Sequence, residues 1–154
     1  MVVYGAGLRV SEALNLKVSD IDRDRQTLLI RNPKNKRDRY VPLSPLMLQV
    51  LSEYWQACHF NDYVFPGAKL GRPLSQATAS KIFKEAKKSA GVNKPGGIHS
   101  LRHCFAVHAL DKGADLIAIK SLLGHRSIHS TVRYLEFSPG RHKKFKSPFD
   151  LLNI

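Results

Sequence analysis

Helix punctuation in the second half of the chain is what most limits the possible folds. From Ser75 to Leu135, cap-type residues open the apolar-periodic stretches and glycines close most of them, which predicts short helices and leaves no room for a long coiled coil or a strand array. Ser75 and Gly91 bracket the first helix, with Ala77, Ile82, Phe83 and Ala86 expected to face inward. The second runs from Ile98 to Lys112 with Leu101, Phe105, Val107 and Ala109 and stops at Gly113. Asp115 and Gly124 bracket Leu116–Leu123, and Ser127 opens a last stretch from Ile128 to Leu135.

The first half reads differently. Leu8 to Leu16 has mixed helical spacing behind glycines, and Asp20 to Asp24 is turn-like. Thr27–Ile30 and Arg39–Leu43 are β-branched and apolar runs, so the basic stretch between them reads as a hairpin loop. Ser44-Pro45 then caps a helix from Leu46 to Cys58, and Asp62–Gly67 is expected to add a short edge strand. The fold class expected from these elements is α+β, mainly helical, with a small antiparallel sheet.

Charge narrows the partners. Twenty-five Lys and Arg against twelve Asp and Glu leave +13 on 154 residues, a surface that favours polyanions. At 43% hydrophobic residues the chain has material for a core, which excludes a disordered basic tail. The excess gathers on two elements: Arg31, Lys34, Lys36, Arg37 and Arg39 around the hairpin, and Lys81, Lys84, Lys87 and Lys88 on the Ser75 helix. Two distant cysteines, Cys58 and Cys104, suit a reducing compartment and not a disulfide framework, and no 18-residue apolar run is present to span a membrane.

The residues able to do chemistry are few. In His99-Ser100-Leu101-Arg102-His103, residues three and four apart share a helix face, so His99 presents with Arg102 and His103, a pairing able to hold a phosphate. His99 and His103 also have the spacing of a helical zinc pair, but Ser100 stands where a metallohydrolase needs Glu and no third ligand is evident. His103 is therefore expected to serve in packing or in support of a neighbouring site residue. Gly124 places His125 at a helix end, and Tyr134 follows nine residues later. Singly, these residues read as a surface Arg, capping histidines and a half-buried Tyr.

Together they carry a resemblance. Gly7-Leu8-Arg9-Val10-Ser11-Glu12, Val41-Pro42-Leu43, His99-x-x-Arg102-His103 and Leu123-Gly124-His125 followed by Tyr134 stand in order and spacing that resemble the catalytic domain of the tyrosine recombinases, the phage integrase family. The resemblance implies the helical catalytic fold with a hairpin or three-stranded sheet over residues 1–138, followed by a basic linker and apolar tail over 139–154. It implies a DNA breaking-and-rejoining enzyme with Tyr134 as nucleophile, Arg9 and Arg102 on the phosphate, and His99 and His125 as proton and hydrogen-bond partners. Lys34 would be the active-site lysine, with Lys36 the competing position. The partner would be double-stranded DNA, met by Arg31, Lys36, Arg37, Arg39, Lys81, Lys84 and Lys88, with no metal or other cofactor and no membrane.

The resemblance also implies association of copies on DNA through Phe149, Leu151, Leu152 and Ile154, and a cytoplasmic, nucleoid-associated location. Members of the family usually carry further helices and a separate DNA-binding domain ahead of the GLR block. A chain that starts almost on that block is expected to leave Leu8, Val10 or Leu14 without neighbours.

Overall fold

The computed structural model describes residues 1–31, 38–60 and 62–138. The chain divides into two compact units, residues 1–105 and 106–154. Those beyond 138, expected to form the linker and tail, lie outside the described residues.

The first unit opens with two short helices, α1 (Val2–Gly5) and α2 (Val10–Leu14). Between them Gly7 adopts φ 62°, a left-handed turn that glycine makes without a Cβ penalty. A three-stranded antiparallel sheet follows in the order β1 (Ile21–Asp22), β2 (Thr27–Ile30) and β3 (Arg39–Pro42). Leu28 pairs with Ile21 on one side and Val41 on the other, and Ile30 pairs with Arg39. Alternation decides which face is covered: Leu28, Ile30 and Val41 are buried while Tyr40 is exposed.

Two expectations are corrected in this region. Ile21–Asp22, read as part of a turn, is the third strand, because the turn sits one step later where the Asp22 carboxylate accepts from Arg25 N–H at 2.8 Å. Asp62–Gly67, read as the edge strand, makes only isolated bridges, Lys17 to Tyr63 and Pro66 to Pro73. Proline has no N–H to donate, so a ladder cannot continue past Pro66 and Pro73.

Helix α3 (Pro45–Cys58) starts as its sequence predicts: Ser44 Oγ accepts from Met47 N–H at 3.2 Å and Pro45 occupies the first turn. It buries Met47 and Leu51, one turn apart. Helix α4 (Gln76–Ser89) is capped by Ser75, whose Oγ accepts from Thr78 N–H at 3.0 Å. Its covered stripe is not the expected one. Ala79 is buried and Phe83 and Lys87 are partly covered, at four-residue spacing, whereas Ala77, Ile82 and Ala86 face solvent. Ala79 joins Val10 and Leu14 in a cluster flanked by Phe65, Leu74 and Ile98. These neighbours overturn the expectation of an open N-terminal core: Leu8 and Val10 are 0% and 1% exposed, and Leu14 is buried with them.

Helix α5 (Ser100–Asp111) contains the division between the units. Arg102, Ala106 and Leu110 form its buried stripe, while Leu101, Phe105, Val107 and Ala109 are only partly covered. In the second unit, α6 (Leu116–Leu123) begins at Asp115, whose carboxylate accepts from Ile117 N–H at 2.8 Å and Ala118 N–H at 3.0 Å. It ends on Gly124 in the left-handed region, φ 63°. Helix α7 (His129–Val132) continues as a 3-10 segment, Arg133–Phe137. The core of this unit is Ala106, Leu110, Ile119, Leu123, Thr131 and Tyr134.

Candidate active site

In the first unit, the site is organised around one carboxylate. Arg9 is the N-cap residue of α2, and Glu12 in the first turn reaches back to it: Glu12 Oε2 accepts from Arg9 N–H and Oε1 from Arg9 Nη1, both at 2.8 Å. An acidic side chain there also meets the positive end of the helix. Arg39, from β3, donates Nη1 to Glu12 Oε1 at 2.9 Å and Nη2 to Oε2 at 2.8 Å, a bidentate fork. Arg102 completes the group, donating Nη1 to the carbonyl of Gly7 at 2.8 Å while standing 3.6 Å from Glu12 Oε2. Gly7 and Arg102 are 95 positions apart in the chain, and the left-handed turn at Gly7 is part of what brings this carbonyl to the guanidinium.

Arg39 and Arg9 set the ionisation of this carboxylate. Burial pushes the Glu12 carboxyl up, but the hydrogen bonds from Arg39 and Arg9 N–H and the charge of Arg39 outweigh it and bring it down to about 2. Glu12 is therefore a carboxylate at neutral pH, and it offsets charges that would otherwise repel one another. The Arg9 side chain remains 41% exposed. Arg102 is buried, contrary to the expectation of a shared surface face with His99 and His103. A residue of helix advances about 100°, so turning Arg102 inward carries His103 outward, and His103 is exposed and not a packing residue. His99, just before α5, is also exposed, with Nε2 3.4 Å from the Gln76 amide nitrogen.

The basic residues expected to meet DNA fall into three groups. Lys84 and Lys88 are exposed on α4, as is Lys81, 4.0 Å from Glu85. Arg31 and Arg39 depart from expectation. Arg31 Nε donates to the buried Asp20 carboxylate at 2.8 Å, although its side chain stays 57% exposed. Arg39 is turned onto Glu12 and nearly covered, with two of its N–H groups satisfied by the two carboxylate oxygens. Lys34, Lys36 and Arg37 lie outside the described residues.

In the second unit, His125 and Tyr134, both expected to act, lie side by side. At Gly124 the chain turns so that His125 N–H still reaches the Lys120 carbonyl at 3.1 Å, which fixes the backbone from which the imidazole projects. His125 Nδ1 lies 2.9 Å from Thr131 Oγ1. Its ring stacks on Tyr134 with centroids 6.2 Å apart and planes 18° from parallel. Tyr134 is buried, not half-buried. The segment that carries it is held at its far end by Ser138, a buried hydroxyl that donates to Asp111.

Glu12 and Thr131 were not singled out by sequence reasoning. The Arg-x-x-Glu pairing at a helix start was a legible signal for Glu12, whereas nothing in the sequence marks the Thr131 hydroxyl as buried. Among the described residues, no group of three or more His, Cys, Asp or Glu side chains is placed to hold a metal ion. Among them, too, no helix is long and apolar enough to cross a membrane.

The chain was compared with known proteins. Residues 1–141 match the profile of the Phage integrase family. The Sinorhizobium fredii protein y4qK is 42% identical over 149 residues, covering 97% of this chain and 48% of that protein. Tyrosine recombinase XerA of Pyrococcus horikoshii is 36% identical over 137 residues, covering 87% of this chain and 47% of its own length. The chain thus spans about half the length of the curated relatives it matches. Among solved structures, the XerA recombinase superposes with a TM-score of 0.80 at 28% identity, covering 94% of this chain and 55% of that one. The XerH site-specific recombinase in a post-cleavage complex with a palindromic difH substrate gives 0.81 at 30% identity, covering 97% and 44%.

Proposed function

We propose, given that this chain belongs to the phage integrase family, that it breaks and rejoins duplex DNA through a 3′-phosphotyrosine intermediate, as the catalytic part of a site-specific recombinase. The observation that carries the proposal is the Glu12 cluster. Two arginines from distant parts of the chain, Arg9 and Arg102, are ordered at a single carboxylate, one of them in a buried setting. Burying a guanidinium is costly unless its position is needed and its bonds are supplied.

In the proposed reaction the Tyr134 hydroxyl attacks phosphorus, the bond to the 5′ oxygen breaks, and the proton lost by the phenol is matched by one gained on the departing oxygen. One phosphate ester replaces another, so the step reverses without ATP. Arg9 and Arg102 hold the non-bridging oxygens as charge grows on them. His99 handles the tyrosyl proton, His125 donates to the phosphate, and Lys34, with Lys36 as the competing position, protonates the 5′ oxygen. Duplex DNA is held by Lys81, Lys84 and Lys88 through its phosphates, and copies associate on DNA through the apolar residues after Pro148.

The test is a pool of randomised duplexes nicked beside the cleavable position, so that the short 5′-hydroxyl fragment escapes and the covalent complex accumulates. The expected result is a slow-migrating adduct on a denaturing gel that is absent with Tyr134→Phe. An adduct that persists in that variant, or cleavage that a chelator abolishes, overturns the mechanism. Retarded DNA with no adduct from the unaltered chain would make it a binding module instead.

A further inference from the structure

Thr131 sits in the second unit with a fully buried side chain, on the short helix that leads into the segment bearing Tyr134. A buried hydroxyl is stabilised when its proton goes to an acceptor. Its backbone N–H is already bonded to the Ile128 carbonyl at 2.8 Å. Among the described residues, the group within hydrogen-bonding distance of Oγ1 is His125 Nδ1, at 2.9 Å. With Thr131 donating, Nδ1 is the bare, accepting nitrogen and the imidazole proton resides on Nε2.

We infer that Thr131 is a positioning residue that sets the tautomer of His125, so that the ring offers an Nε2 proton to a phosphate oxygen. The inference rests on the recombinase reading for what His125 donates to, but not for the Thr131–His125 bond itself. The reverse arrangement, Nδ1–H donating to Thr131, would leave the buried hydroxyl proton without an acceptor. The same contact therefore favours one tautomer of the imidazole over the other. The backbone bond from His125 N–H to Lys120 and the stacking of the ring on Tyr134 restrict its rotation, which keeps Nδ1 beside the Thr131 hydroxyl.

The experiment has two parts on the full 154-residue chain. First, nitrogen-15 spectra of the histidine-labelled, DNA-free protein read the His125 tautomer. The expected pattern is Nε2–H, replaced by a mixture in Thr131→Val and retained in Thr131→Ser. An Nδ1–H or doubly protonated ring in the unaltered protein at neutral pH overturns the inference. Second, adduct formation is followed on the nicked-duplex pool. Thr131→Val should slow it by about tenfold, the factor one net hydrogen bond supplies, with recovery in Thr131→Ser. In a His125→Ala background, Thr131→Val should have no further effect. A full tenfold loss there would mean that Thr131 acts through packing, and would refute the proposal. If the unaltered chain forms no adduct at all, the recombinase reading fails, while the spectra still decide the tautomer. Should Thr131→Val not fold, the spectrum of the unaltered protein and of Thr131→Ser decides.

Discussion

Replacing Glu12 with glutamine keeps the shape of the side chain and removes the one negative charge that Arg9, Arg39 and Arg102 share. The size of the effect follows from the ionisation. A carboxyl brought down from its ordinary 4.5 to about 2 stabilises the folded chain by about 3 kcal/mol at neutral pH, and partial solvent screening reduces this to about 2 kcal/mol. The sign is fixed by the direction of the shift. Because the folded-state value is the lower one, the stabilisation is complete above about 4.5 and is lost as pH falls towards 2. Urea unfolding of the unaltered chain and of Glu12→Gln, each at pH 7 and pH 3, measures it. The variant should be less stable by about 2 kcal/mol at pH 7, and that difference should shrink by roughly half at pH 3. Equal stability at pH 7, or a gap of the same size at both values, would refute the view that this carboxylate holds the arginines together.

Other consequences are simpler to test. Arg102→Lys retains the charge but loses the planar fork and its fixed donor to the Gly7 carbonyl, so adduct formation on the nicked-duplex pool should fall on the order of a hundredfold. Loss of DNA retention with no specific loss of cleavage would assign Arg102 to binding alone. Changing Lys81, Lys84 and Lys88 together to Gln should lower the slope of log affinity against log salt by about 2 to 3 in a filter-binding titration, at about 0.9 for each lost phosphate contact; an unchanged slope removes this face of α4 from the interface. Asp115→Ala strips two backbone N–H groups of their acceptor and should cost about 1 kcal/mol by chemical denaturation, with Asp115→Ser recovering most of it.

Local chemistry determined much of this protein from sequence alone. Ser44, Ser75 and Asp115 cap their helices as the residue types dictate, and Gly124 ends α6 in the left-handed region, because these signals act within one turn of backbone and need no tertiary partner. The ordered blocks around Arg9, Arg102, His125 and Tyr134 likewise placed the chain in its family. What tertiary structure decided was which side of each element is covered. Helix α4 buries Ala79 and not Ile82, because hydrophobicity fixes that some face is buried while packing against Val10 and Leu14 fixes which one. The same holds for charge. Arg39 and Arg102 read as surface cations, yet both are drawn to Glu12, since a largely covered carboxylate attracts a guanidinium over distances in the chain that no local pattern records. Thr131 makes the point most sharply. Its sequence neighbours say only that it lies on a helical turn, whereas the fold buries its hydroxyl 2.9 Å from His125 Nδ1.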